Sequence, residues 1–210
     1  MVEAGGGMSG NFISIRTNFP KITAQLDRLA QNVGDKAMVR ALNKTVDQGK
    51  KEMARKISQE FRIDRATAEQ RLAVRRASVK GGALRFQAFL EATRRGKGRS
   101  MNLIHFIENK VTLADAKRRR KAGDLNQLRF QIKRTGGKKM LPGAFIANKG
   151  RTVFMRVGKE RKPIVAKNTI DVGQMFNTRR INSVVREVML KKFNANFQRE
   201  LRAVMKGYVK

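Results

Sequence analysis

Ala83-Leu84-Arg85-Phe86-Gln87-Ala88-Phe89-Leu90-Glu91-Ala92 is the stretch on which the fold turns. Leu84, Phe86, Ala88 and Leu90 alternate with Arg85, Gln87, Phe89 and Glu91. A period of two sends successive side chains to opposite faces, so the segment reads as a strand. The chain just before it keeps a different period. Met38, Leu42, Val46, Gly49, Met53, Ile57 and Phe61 recur every three or four residues. That spacing predicts a long amphipathic helix over 35–61, with Lys44, Lys50, Lys51, Arg55 and Lys56 on its polar faces. Gly49 lies on the apolar stripe and marks an expected close crossing with another element. Further upstream, Phe12–Arg16 alternates and predicts a short strand. Phe19-Pro20 opens a helix carrying Ile22, Leu26, Leu29 and Val33, since proline is tolerated in a first turn. Gly34 is expected to end it. Asp64 reads as the N-cap of a short third helix running to about Val74.

Beyond the strand the alternation returns in pieces. Leu103-Ile104-His105-Phe106-Ile107 is apolar and reads as a strand. Leu128, Phe130 and Ile132 alternate, as do Phe145 and Ala147, and Val153, Met155 and Val157. Gly136-Gly137 and Pro142-Gly143 punctuate these segments as turns. The last third is helical again. Ile181, Val184 or Val185, Val188, Phe193, Phe197, Leu201 and Val204 form a stripe over 178–206, with Gly207 placed as the residue that closes a helix. Helices, then strands, then a helix, with no internal repeat, is an α+β order. The expected architecture is a mostly antiparallel sheet of about four to six strands, flanked by N-terminal helices and a long C-terminal helix. Residues 1–10 are Gly-rich and read as a flexible N-terminal segment. Residues 11–210 read as a single domain.

Charge dominates the composition. The chain has 210 residues, with 48 Lys+Arg against 16 Asp+Glu and a formal net charge of +32. Hydrophobic residues make up 40% of it, enough for a core, so it is no disordered tail. A charge of this size repels itself in a compact fold unless an anionic partner neutralises it. Nucleic acid, an acidic protein surface and an anionic membrane all qualify. No apolar run approaches the roughly 18–20 residues of a membrane helix, and the first residues lack the apolar core of a signal peptide. No membrane partner is therefore expected.

The chemistry of catalysis is thin. There are no cysteines and one histidine, which removes disulfides, cysteine nucleophiles and the common zinc sites. His105 sits on an apolar segment and reads as a hydrogen-bonded core or interface residue. Glu52, Glu60 and Glu69 read as solvated helix partners of neighbouring bases. Asp115 and Asp124 flank a basic run and offset it. Gly96 and Gly98 lack the third glycine of a dinucleotide site, and no phosphate-binding loop occurs. The expectation is no catalytic residue, no cofactor, no metal and no enzyme.

Two clusters of bases stand out. One is Arg94, Arg95, Lys97 and Arg99. The other is Lys117, Arg118, Arg119, Arg120 and Lys121. Like charges this dense repel one another and resist packing, so both are expected as loops, near 94–99 and 117–123. They are the candidate contacts to DNA or another polyanion, through phosphates and without base readout. Phenylalanines fall mostly on core-facing stripes, Phe89 excepted, so base stacking is not the expected mode. The bases suit a free-standing, sequence-nonspecific nucleic-acid-binding protein, or one that meets acidic faces of protein neighbours.

Motif order narrows the choice. Lys138-Lys139-Met140-Leu141-Pro142-Gly143-Ala144-Phe145-Ile146-Ala147 resembles the Gly-Ala-Phe-Ile-Ala segment of the prophage minor tail protein Z family. Val153-Phe154-Met155-Arg156 resembles its next strand, and Lys162-Pro163-Ile164 its Pro-Ile. Arg40-Ala41-Leu42-Asn43-Lys44-Thr45 resembles its early helix. Ile63-Asp64, Arg71-Leu72 and Arg75-Arg76-Ala77 resemble the segment that follows. Gln174-Met175-Phe176 is retained. Asn168-Thr169-Ile170-Asp171-Val172-Gly173 replaces a Gly-Pro-Ser-like segment, and the basic loop is longer than the family's. The family-motif positions are thus Gly143, Ala144, Phe145, Ile146, Val153, Arg156, Pro163 and Ile164. The resemblance implies a structural virion protein. It would complete the tail at the head-proximal end of a long-tailed phage or prophage, joining tail terminator and neck. It also implies a homo-oligomeric ring, possibly hexameric, made in the host cytoplasm, whose lumen faces DNA.

Overall fold

The computed structural model describes residues 12–16, 31–80, 83–85, 87–92, 100–108 and 128–208. Its elements in chain order are β1 (Phe12–Arg16), α1 (Gln31–Glu60), α2 (Arg65–Gln70), β2 (Leu72–Arg75), β3 (Ser78–Lys80), β4 (Ala83–Arg85) and β5 (Gln87–Ala92). Then come β6 (Met101–Asn102), a 3-10 helix (Leu103–Phe106), β7 (Leu128–Phe130), β8 (Lys139–Leu141), β9 (Ala144–Ala147) and β10 (Thr152–Arg156). β11 (Ile164–Ala166), β12 (Asn168–Thr169), α3 (Val172–Phe176) and α4 (Arg179–Tyr208) complete the chain. Helices at both ends of a strand-rich middle make the fold α+β, as the order of periods implies. The flexible segment 1–10 and most of the helix expected after Phe19 lie outside the described residues.

The apolar stripes of α1 and α4 explain the main core. On α1, Met38, Leu42, Val46, Met53 and Ile57 are buried, and on α4 Ile181, Val185, Met189, Phe193 and Phe197 answer them. Each helix is 30 residues long and amphipathic, so each needs the other to cover its apolar face. α1 runs through Gly34, which is buried, so the expected break does not occur. One glycine costs a helix about 1 kcal/mol relative to alanine, less than the packing of this face supplies. On α4 the inward residues step by four from Ile181 to Phe197. Val185 therefore points in, and Met189 rather than Val188 is the next core residue. Gly207 keeps helical backbone and the helix continues to Tyr208, so Gly207 is not the closing residue expected.

Gly49 sits at the crossing its position implied. A Cβ built there would lie 2.5 Å from Met189 Sδ and 2.9 Å from Met189 Cγ. The Gly49→Leu variant is expected to lose about 1–3 kcal/mol through overpacking, read from denaturant unfolding. Combined with Met189→Ala it should lose less than the two separate losses added, because the new side chain fills the space that truncation opens.

The decisive stretch 83–92 divides between two pairings. β4 pairs with β3, with Leu84 opposite Val79. β5 is the centre of the sheet β1-β5-β2, with Leu90 opposite both Ile13 and Val74. Phe86, between them, lies outside the described residues. Ala88 and Leu90 are buried toward α1 while Gln87 is exposed, as the alternation requires. Phe89 faces outward, half-buried, under the Arg75 guanidinium at 5.8 Å.

Among the described residues every strand pairing is antiparallel. The strands divide among two three-stranded and three two-stranded sheets rather than one continuous ladder. The strands after β5 are two to five residues long, and turns interrupt them before a wide sheet can form. They enclose a second, smaller core. Leu128, Phe130 and Val153 are buried there against Leu103, Ile104, Ile107, Leu141, Ala144 and Ile146. Ile132 falls outside β7 and packs on the main core instead.

Two further expectations are corrected. Asp64 does cap α2, accepting from the Thr67 N–H at 3.1 Å, but the helix ends at Gln70 rather than Val74. Leu72 and Val74 instead enter β2, where Leu72 is buried and pairing with β5 satisfies the backbone. α3 was not foreseen. Asp171 accepts from the Gln174 N–H at 2.7 Å while Gln174 Oε1 accepts from the Asp171 N–H at 3.1 Å. This reciprocal capping pair is legible as Asp-x-x-Gln.

Candidate functional site

The family-motif residues come together on the sheet β9-β10-β11. The Pro142-Gly143 turn leads into β9 with Gly143 at φ +74°, a left-handed backbone that glycine tolerates without a Cβ clash. Register then sets Ile146 opposite Val153, Phe145 opposite Phe154, and Arg156 opposite Ile164. Because side chains alternate, the sheet has two distinct faces. Val153 and Ile146 point into the small core. Phe145, Phe154 and Arg156 lie on the other face. The two rings stack with centroids 6.1 Å apart, and the Arg156 guanidinium lies 5.2 Å from the Phe145 centroid. The Lys162–Pro163 peptide bond is cis, and Pro163 O accepts from the Val157 N–H at 3.1 Å, closing the β10–β11 connection.

Asn102 ties this sheet to the rest of the fold. Its Oδ1 accepts from the Val153 N–H at 2.8 Å and from the Ile104 N–H at 3.1 Å. Its Nδ2 donates to Val153 O at 3.2 Å and to Asn168 Oδ1 at 3.2 Å. The amide thus replaces a strand neighbour for Val153 and also caps the 3-10 helix. This is why Leu103-Ile104-His105-Phe106 is helical rather than the expected strand. Asn102→Ala leaves the buried Val153 N–H without a partner, a loss of about 1–3 kcal/mol. Hydrogen exchange should speed up across β9, β10 and β11 while α1 and α4 amides keep their protection.

The surface of this lobe is strongly basic. Residues 128–170 hold twelve Lys and Arg and a single acid, Glu160. Lys138 pairs with Glu108, and Arg134 Nε donates to Ser58 O at 2.8 Å. The hydrogen bond from Lys138 holds the Glu108 carboxyl below its ordinary pKa, against the opposing effect of burial. Lys149 and Arg151 border the β9–β10 turn, and Lys159, Arg161 and Lys162 line the β10–β11 connection. All five are exposed, and none forms an ion pair with a described residue. These bases escaped the sequence reading because they alternate with strand and turn residues and never form a run. A count of bases against acids in a forty-residue window is the signal that finds them.

The candidate contacts Arg94, Arg95, Lys97, Arg99, Lys117, Arg118, Arg119, Arg120 and Lys121 lie outside the described residues, as do Asp115 and Asp124. Along the chain the first group joins β5 to β6 and the second joins Glu108 to β7. His105 is not a core residue. It is exposed on the 3-10 helix, and shielding of its ring, with the nearby charge of Arg71, holds its pKa below the usual imidazole value. Among the described residues no three His, Asp or Glu side chains gather as a metal-holding group. No described helix is long and apolar enough to cross a membrane.

The sequence profile of prophage minor tail protein Z (GPZ) matches residues 21–207, most of the chain. Neither a curated protein nor a solved structure matches it.

Proposed function

The chain belongs to the prophage minor tail protein Z family and is thus a structural component of a phage tail; from that premise we propose that it completes the tail at its head-proximal end, joining tail terminator and neck around the DNA path. The match across 21–207 is the observation that carries this reading. The charge gives it a physical form. A net +32 on one chain is unfavourable for a solitary compact protein but suits a ring whose lumen encloses a polyanion. In such a ring, six copies being the symmetry the resemblance implies, Arg94–Arg99 and Lys117–Lys121 would meet phosphates without reading sequence. The role needs no catalytic step, cofactor or metal.

Cryo-EM of tails from a phage carrying the gene and from one lacking it tests the proposal. Difference density is expected as a ring at the head-proximal end, with loss of head joining in the deleted phage. Absence of the protein from purified tails, or density elsewhere along the tube, overturns it.

A further inference from the structure

The β10–β11 hairpin combines two properties that no single partner chemistry among those above satisfies except one. It is basic: Lys159, Arg161 and Lys162 are exposed around its connection, with Glu160 the only acid. It is also apolar. Val157 is 64%, Ile164 42% and Val165 47% exposed. Register sets Arg156 opposite Ile164 and Met155 opposite Val165, and the Val157 N–H bonds to Pro163 O, so Val157 and Val165 share one face of the hairpin while Ile164 lies on the other, beside Arg156. Four of the five large hydrophobic residues that are exposed among the described residues belong to this lobe, Met140 being the fourth and Met205 on α4 the exception.

Each possible occupant meets this hairpin differently. A second copy brings the same bases, and like charges face to face oppose association. A phosphate backbone neutralises the bases but gains nothing from Val157 and Val165, whose burial needs apolar surface opposite. An acidic protein face with an apolar centre satisfies both: the branched side chains leave water at the middle while Lys159, Arg161 and Lys162 pair with carboxylates at the rim. We infer that the β10–β11 hairpin docks on an acidic surface of a neighbouring tail or neck protein. This rests on the tail role proposed above. It gives the chain two basic regions with different tasks, this one for protein and the 94–99 and 117–121 clusters for DNA.

The test uses the full-length chain in the phage, with tails purified from a phage lacking the gene as the probe. A photo-reactive amino acid in place of Val165 is expected to cross-link to an Asp- and Glu-rich segment of a tail or neck protein, identified by mass spectrometry. Val165→Asp, and separately the triple Lys159→Glu, Arg161→Glu, Lys162→Glu, should each lower incorporation into those tails at least tenfold. Thermal unfolding of the free chain should stay as in the wild type, since these side chains are exposed. A cross-link to a second copy, to DNA or to a surface without excess acid overturns the inference, as does undiminished incorporation of both variants. Failure of the wild-type chain itself to enter tails would sink the tail reading instead, so the two failures are distinguishable.

Discussion

Phe193→Ala is expected to lower the unfolding free energy by about 3–5 kcal/mol, the cost typical of emptying a buried phenylalanine site. Phe193 is fully buried on α4, at the interface with α1, and its ring stacks on Phe197 with centroids 6.1 Å apart. Both long helices depend on this interface, because neither buries its apolar face elsewhere to the same extent. For a domain of this size the loss corresponds to a fall in Tm of roughly 6–20 °C. The helices should nevertheless keep their register. Asn196 Nδ2 donates to Thr45 Oγ1 at 3.0 Å and to Gln48 Oε1 at 3.2 Å, and the buried Glu200 pairs with Lys44. A one-residue slip would leave these polar groups unmatched in the core, which costs more than the cavity permits the helices to regain. Far-ultraviolet circular dichroism at 20 °C should therefore match the wild type while the melting curve shifts. An unchanged Tm would mean that the α1–α4 interface is not the principal source of stability.

Legibility in the sequence followed the strength of the local signal. The stripe from Met38 to Ile57 was readable because core positions on a helix repeat on one face over about five turns. The same rule placed Gly49 at a crossing. It erred by one position on α4, where Val188 and Met189 are both apolar and only the facing helix decides between them. The strand β5 was readable from Ala88 and Leu90, but its neighbours were not. Nothing in Leu84 or Ile13 states which strand either will pair with, since pairing is a long-range choice. The 3-10 helix at Leu103 was hidden for a different reason. Its cause is the side chain of Asn102 bonding to Val153, a contact across 51 residues. The motif order of Gly143, Phe145, Val153 and Ile164 pointed to the family without revealing that these residues share one small sheet. The basic hairpin was missed because its charge is dispersed, whereas Lys117–Lys121 was conspicuous because its charge is contiguous.

Contiguity alone does not establish contact with DNA, and the salt dependence of binding separates contact from a solvated face. Replacing Arg118, Arg119 and Arg120 together with glutamine removes three charges from one run. If each neutralises a phosphate, the slope of log K against log salt becomes shallower by about 2.7, from about 0.9 per contact on duplex DNA. Between 50 and 200 mM salt the wild type should then lose about 40-fold more affinity than the variant. The variant should bind every duplex sequence more weakly to a similar degree, because phosphate contacts carry no base information. Its folding should be unchanged, since so dense a run of like charges resists burial. Replacing Lys159, Arg161 and Lys162 with glutamine is the natural comparison. It removes the same formal charge, so a purely diffuse field effect would change both slopes alike. Division of labour between loop and hairpin predicts a shallower slope for the loop variant only, with loss of tail incorporation for the hairpin variant. Equal slopes for wild type and loop variant would assign Lys117–Lys121 to solvent or to protein neighbours.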